Sequence, residues 1–201
     1  MTENIPLLNP LTDPFQLFED WFKEATKKEM NDPNAMNLST VSSDFKPSSR
    51  MVLLKDFSSD GFVFYTNLNS KKGISILKNS NVALNFHWKS LLKQVRIEGV
   101  SSKISKEEAD QYFESRKKES KLGAWASNQS EELIDRKNLM DNIHYYENKF
   151  KDNNIDRPPH WTGFRVIPNL LEFWQDMPFR LHDRLEFKKI NDKWISRKLY
   201  P

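Results

Sequence analysis

Four stretches of this sequence put cations, hydroxyls and amides where they could grip an anion. The most unusual is Glu172-Phe173-Trp174-Gln175, followed by Arg180-Leu181-His182-Asp183-Arg184. In an extended chain Arg180, His182 and Arg184 point one way, and Leu181 and Asp183 the other. Three groups able to carry positive charge beside a Trp suit a flat anionic ligand better than a core. A basic edge strand is the plainer alternative.

The second stretch holds Tyr112, Arg116 and Ser120 at intervals of four. If a helix continues to Arg116, Tyr112 and Arg116 share a face, with Ser120 just beyond. A phenol, a guanidinium and a hydroxyl converging there would hold a phosphate. A charged helix surface is the alternative, since Lys117-Lys118-Glu119 is plainly solvated. The third is Tyr65-Thr66-Asn67 with Ser70-Lys71-Lys72, hydroxyls and cations at the entry to a short helix, which also suits a phosphate. Taken alone it reads as a turn with a solvated charge pair. The fourth is Arg50-Met51-Val52-Leu53-Leu54-Lys55. Alternation sends Arg50, Val52 and Leu54 to one face and Met51, Leu53 and Lys55 to the other. Alone, it reads as a core strand with snorkelling ends.

The elements that must position these groups follow from periodicity. Residues 1–12 read as a loosely held arm. Asp13-Pro14 opens a helix carrying Phe15, Phe18, Phe22 and Ala25 at helical spacing, with Lys27-Lys28 in its last turn. A β pattern then runs from residue 35 to 100. Strands are predicted at 37–41, 50–57, 62–67, 82–88 and 94–100, with a hairpin turn at Ser58-Ser59-Asp60-Gly61 and a short helix over 72–78. Ser105 with Glu108 fits a capping box for a helix to about Arg116, and Ser130 caps a longer helix holding Leu139, Ile143, Tyr146 and Phe150. Strands return at 163–167 and 171–175, and a hairpin of 184–190 with 193–199 turns on Asn191-Asp192. Hairpin-linked strands with helices added predict a mainly antiparallel α+β chain, a barrel or sandwich, as a single domain over 1–201.

Composition excludes several chemistries. The 201 residues include no cysteine, which removes disulfides, thiolate nucleophiles, iron–sulfur clusters and Cys-containing zinc sites. His87, His144, His160 and His182 are widely spaced, so no metal site is predicted. The five glycines never approach a phosphate-loop spacing, so a phosphate-bearing cofactor must be held by side chains. No apolar run approaches a membrane span, and Met1-Thr2-Glu3-Asn4 is unlike a signal peptide; a cytoplasmic location is the default. A small basic barrel binding nucleic acid is permitted, but the net charge is only +3 and no Lys/Arg stripe alternates with aromatics.

Together these strings resemble the pyridoxamine/pyridoxine 5'-phosphate oxidase family. The resemblance rests on RMVLLK (50–55), FYTNLNSKK (64–72), QVRIEG (94–99), QYFESR (111–116), Ser120 with LGAWASNQS (122–130), GFR (163–165), EFWQ (172–175) and RLHDR (180–184). They run in family order over nearly all the chain from Asp13 to Pro201. Departures are Lys71, where many members have Arg; Lys117, in place of a common proline; and an N-terminal arm without Arg or Lys before Lys23.

The resemblance implies an FMN-binding split β-barrel homodimer, with one FMN in each of two clefts between subunits. It places flavin contacts on Arg50, Met51, Val52, Leu53, Leu54, Lys55, Tyr65, Thr66, Lys71, Lys72, Gln94, Gln129, Ser130, Trp174 and Arg184. It places the substrate phosphate on Lys55, Tyr112, Arg116 and Ser120, and the pyridine ring against Arg180, Leu181 and His182, with Arg180 and His182 orienting substrate rather than acting as acid or base. The implied reaction is oxidation of pyridoxamine and pyridoxine 5'-phosphates by dioxygen to pyridoxal 5'-phosphate, with hydrogen peroxide as the other product. Vitamin B6 phosphates and dioxygen are then the partners, with no nucleic acid and no membrane. Another split-barrel flavin or deazaflavin oxidoreductase is the alternative.

Overall fold

The computed structural model describes residues 5–201. Its strands form one hydrogen-bonded antiparallel sheet, in the order β2-β1-β5-β6-β7-β4-β3, with β8 on β7 and β9 beyond β8. The strands are β1 (Ala35–Val41), β2 (Pro47–Leu53), β3 (Asp56–Ser58), β4 (Gly61–Asn67), β5 (Asn81–Trp88), β6 (Lys93–Lys103), β7 (Trp161–Gln175), β8 (Asp183–Ile190) and β9 (Lys193–Leu199). The helices are α1 (Pro14–Lys28), α2 (Lys71–Lys78), α3 (Lys106–Glu114), α4 (Lys118–Ala126) and α5 (Arg136–Lys149).

The sheet curls because β7 serves two partners. Its first part pairs with β4 and its second with β8, while β6 runs beside both; opposite Glu98 and Gly99, β7 carries the extra residue Asn169 as a bulge. A bulge bends and twists its strand. The curl brings the end of β2 back to β4, where the Lys55 N–H donates to the Val63 carbonyl at 2.8 Å. The result is the split barrel that the resemblance implied.

Helix α1 fills the barrel. Asp13 accepts from the N–H groups of Phe15 and Gln16, and Pro14 sits where no N–H is needed. Phe18 is fully buried and meets Phe57, Phe62 and Phe86 edge-on, with centroids 4.9, 4.9 and 5.2 Å away. Burial of such a ring contributes about 1.5–3 kcal/mol. A second, smaller cluster of Phe113, Leu122, Ile155 and Trp161 joins α3 and α4 to the start of β7.

Several sequence expectations need correction. The strand expected over 50–57 breaks at Leu54, whose N–H donates to the Asn34 carbonyl and whose carbonyl accepts from the Asn34 amide. The chain there passes from pairing with β1 to pairing with β4, so the hairpin is β3–β4 alone. Helix α3 ends at Glu114. Arg116 lies in a bend, its N–H donating to the Phe113 carbonyl, and Ser120 sits on the separate helix α4. Ser130 has a φ of 78° and caps nothing; Asp135 caps α5. The two strands expected between 163 and 175 are the single strand β7.

The shared face of Arg180, His182 and Arg184 does not form. Pro178 opens a short 3-10 turn, Phe179 and Arg180 have φ of 60° and 61°, and β8 begins only at Asp183. Nor is β8 an edge strand, since β9 covers it. The loosely held arm is also corrected over residues 5–12. Leu8 is buried and its N–H donates to Asp183 at 2.6 Å, the Pro6 carbonyl accepts from Gln175, and the Pro10 carbonyl accepts from Ser196. The remainder of that arm, residues 1–4, lies outside the described residues. Among the described residues no helix is long and apolar enough to cross a membrane.

Candidate active site

A cavity of about 860 Å³ opens between the β2–β4 side of the barrel and the α3–α4 corner. Strand β2 and its exit contribute Met51, Val52, Leu53 and Lys55. The end of β4 contributes Tyr65, Thr66 and Asn67, and α2 contributes Lys72. Tyr112 comes from α3, Ser115, Arg116 and Lys117 from the bend, and Ser120, Gly123 and Ala124 from α4. Ser127, Gln129 and Trp161 complete the wall. That size falls within the range of small-molecule and cofactor sites.

The charge of this wall is one-sided. Lys55, Lys72, Arg116 and Lys117 line it, and no Asp or Glu does. Among the described residues none of these four cations forms an ion pair, whereas Arg96, Arg157, Arg165 and Arg184 all do. Like charges gathered in a cleft favour an anionic ligand.

Lys72 sits in the first turn of α2, which Ser70 caps by accepting from the Gly73 N–H. Its ammonium donates to Gln129 Oε1 at 2.9 Å and lies 3.3 Å from Ser70 Oγ. Burial first, and then the nearby Arg50 charge, bring its pKa down to about 8. Gln129 Oε1 also lies 3.4 Å from Thr66 Oγ1. Arg50 is held behind this corner by the Leu38 and Ser48 carbonyls and the Thr40 and Ser48 hydroxyls. Burial depresses its pKa.

At the other end, Tyr65, Tyr112 and Trp161 form a set of near-parallel rings. Tyr65 lies 3.9 Å from Tyr112 and 5.0 Å from Trp161, within 10° of both planes. Gly163, the register partner of Tyr65, permits this, because a Cβ there would come within 2.9 Å of the Tyr65 ring. Burial, reinforced by Glu108, pushes the Tyr65 phenol up to about 12. It is therefore a neutral hydrogen-bond donor at ordinary pH. Arg116 places its guanidinium carbon 4.8 Å above the Trp161 ring, and its Nη1 is buried without a hydrogen-bond partner. Burial lowers its pKa.

Of the residues singled out in the sequence, the cavity gathers Met51, Val52, Leu53, Lys55, Tyr65, Thr66, Lys72, Tyr112, Arg116, Ser120 and Gln129. Arg50, Leu54, Lys71 and Ser130 adjoin these segments without lining the wall, and Leu54 points into the core. Gln94, Trp174, Arg180, Leu181, His182 and Arg184 lie elsewhere. Arg184 binds Glu172 through Nε and Nη2, both at 2.7 Å, and the Tyr200 carbonyl through Nη1. His182 lies 2.8 Å from Asp176, with its ring 4.6 Å from Trp174. Gln94 faces a smaller cavity of about 340 Å³, with Asn37, Asn85, Arg96 and Glu98. Trp161, Ser115, Lys117 and Ser127 were not anticipated, and Lys117 lines the wall although the sequence reads it as solvated. Strand alternation through Gly163 and Arg165 was the one signal pointing to Trp161.

Residues 22–150 match the model of the pyridoxamine 5'-phosphate oxidase family. The chain belongs to that family. Residues 161–201 match the pyridoxine 5'-phosphate oxidase C-terminal dimerisation region. A pyridoxine/pyridoxamine 5'-phosphate oxidase of Caulobacter vibrioides is 52% identical over 196 residues, 98% of this chain and 88% of that protein. One from Gluconobacter oxydans is 50% identical over 98% of this chain and 99% of its own. Among solved structures, PhzG from Burkholderia lata, in complex with tetrahydrophenazine-1-carboxylic acid, superposes with a TM-score of 0.92 at 26% identity, covering all of both chains. A pyridoxamine 5'-phosphate oxidase-related, FMN binding protein from Nostoc punctiforme shares the fold, with a TM-score of 0.75 at 14% identity over 96% of this chain and all of its own.

Proposed function

We propose that this chain is an FMN-dependent oxidase that converts pyridoxamine and pyridoxine 5'-phosphates to pyridoxal 5'-phosphate. The observation that carries the reading is the cavity wall: four cations, none ion-paired among the described residues, and no carboxylate. One carboxylate ligand would leave most of that charge uncompensated, whereas two phosphates would not. The high identity to curated oxidases supports the same substrate class.

The residues present fit FMN. Lys72, Thr66 and Gln129 form a polar corner beside the α2 N-terminus that suits its phosphate, with Arg50, Lys71 and Ser130 adjoining. The run from Met51 to Lys55 offers an apolar ledge for a flat ring. Bound there, FMN would supply the two-electron acceptor for oxidation at the substrate C4' carbon, with dioxygen as the final oxidant and hydrogen peroxide as its product. The amine substrate adds water and releases ammonia; the alcohol needs only dioxygen. Lys55, Tyr112, Arg116 and Ser120 hold the substrate phosphate, fixing the carbon that reacts. No side chain is required as an obligatory base.

Gln94, Trp174, Arg180, Leu181, His182 and Arg184 lie away from this cavity in the same chain. In our reading a second copy brings them to it, the flavin contacts to FMN and Arg180 with His182 to the pyridine ring. The active form is then a homodimer of single-domain chains, working in the cytoplasm with no nucleic-acid or membrane partner. The test is an absorption spectrum of the purified protein. A flavin spectrum that bleaches when pyridoxamine 5'-phosphate is added without oxygen supports the assignment. A protein that takes up no FMN, or a flavin that stays oxidised, contradicts it.

A further inference from the structure

Arg116 differs from its neighbours in what holds it. Arg157 and Arg165 each meet a carboxylate, Asp110 and Glu108. Arg116 instead rests on an aromatic face, 4.8 Å above Trp161 and 5.6 Å from Phe113. A carboxylate would fix the side chain equally well, but it would neutralise the charge and occupy N–H donors. A ring face fixes the guanidinium and leaves its charge and its in-plane donors free. The guanidinium lines the cavity, and its Nη1 has no hydrogen-bond partner among the described residues.

Trp161 is itself locked. It pairs with Asn67 in the β4–β7 register, and its carbonyl accepts from Arg157, which Asp110 anchors. Its ring lies 1° from the plane of Tyr112 and 10° from that of Tyr65, and it is 7% exposed. The indole therefore offers a fixed platform at the phosphate end of the cavity.

We infer that Trp161 is a positioning residue for the substrate phosphate: its indole face holds the Arg116 guanidinium uncompensated and aimed into the cavity. This rests on the reading that Arg116 takes that phosphate. A carboxylate in the platform's place would bind the arginine and lose the anion.

The test uses FMN-loaded Trp161→Leu and Trp161→Phe proteins. Trp161→Leu should raise KM for pyridoxamine 5'-phosphate roughly 2- to 30-fold, with a smaller change in kcat. KM for unphosphorylated pyridoxamine should rise by clearly less. Trp161→Phe, which keeps a smaller ring face, should fall between wild type and Leu, and it decides the matter alone if the Leu variant does not fold. Calorimetric affinity for pyridoxal 5'-phosphate should drop by the same factor as KM rises, without any turnover. In an Arg116→Ala background, Trp161→Leu should add nothing. Equal losses on phosphorylated and free vitamers, an unchanged KM, or a full effect without Arg116 would each overturn the inference while leaving the proposed reaction intact. A wild-type enzyme that treats both vitamers alike would instead overturn the phosphate assignment, and this inference with it.

Discussion

Lys72 donates to Gln129 across 2.9 Å, tying the first turn of α2 to the loop that follows α4. The amide satisfies one ammonium proton and cancels no charge. Burial and the Arg50 charge bring the lysine pKa to about 8, so an arriving phosphate meets a cation that is ready to be stabilised.

The pH dependence follows with a definite sign. Below pH 8 Lys72 is already protonated in the free protein. Above it, the free protein has lost that proton and anion binding must take one up. FMN affinity should therefore fall as pH rises through about 8, approaching about tenfold per unit. Lys72→Met should weaken FMN binding and flatten this profile. Quenching of flavin fluorescence on either side of pH 8 reads both effects; a flat wild-type profile would contradict the assignment.

Arg184 should prove structural as well as ligand-binding. Glu172 is only 3% exposed, and without Arg184 it would keep Arg96 alone, at 3.4 Å. Arg184→Ala should lower stability by about 1.5–3 kcal/mol and loosen FMN. Denaturant titration and FMN loss on ultrafiltration measure the two separately. Normal FMN retention with lost substrate binding would show that this cation belongs to the other ligand.

How far the sequence could be read depended on whether a signal was local. Helix α1 was legible because Asp13, Pro14 and the Phe15–Phe18–Phe22 spacing act within a few turns. Helix α2 and the β5–β6 and β8–β9 hairpins were legible for the same reason. The break at Leu54 was not, because it depends on Asn34 and on a change of strand partner. The α3–α4 corner was missed because Lys117 enters its helix without a side-chain cap. Residues 180–184 look extended in sequence, yet left-handed φ at Phe179 and Arg180 redirects them. Lys55, Tyr112, Arg116 and Ser120 line one cavity. Gln94, Trp174 and Arg184 lie on a different part of the sheet, and only a resemblance, not periodicity, linked the two groups.

That separation predicts assembly. Asn37 Oδ1 and Asn85 Oδ1 are buried without partners in the groove that also holds Gln94. Light scattering should give about twice the 23.8 kDa chain mass, and FMN retention should fall on dilution as the dimer dissociates. A stable monomer with full FMN occupancy would overturn the shared-site arrangement.

The core makes its own prediction. Phe18 is fully buried against Phe57, Phe62 and Phe86. Phe18→Ala should cost about 3–5 kcal/mol, read from the denaturant midpoint at constant slope. A loss below 1 kcal/mol would mean that α1 does not plug the barrel as described.

The central claim, that this cavity selects a phosphorylated vitamer for oxidation, is tested most directly by steady-state peroxide production in air, comparing pyridoxamine 5'-phosphate with pyridoxamine. Charge-assisted contacts from Lys55, Tyr112, Arg116 and Ser120 contribute about 1.5–3 kcal/mol each before desolvation and ordering are subtracted. A net of about 4 kcal/mol corresponds to a kcat/KM on the order of 10³ higher for the phosphorylated substrate. Arg116→Ala should erase much of that ratio while leaving the slow oxidation of free pyridoxamine nearly unchanged. Equal kcat/KM for the two vitamers in the wild-type protein, or no peroxide from either, would contradict the account.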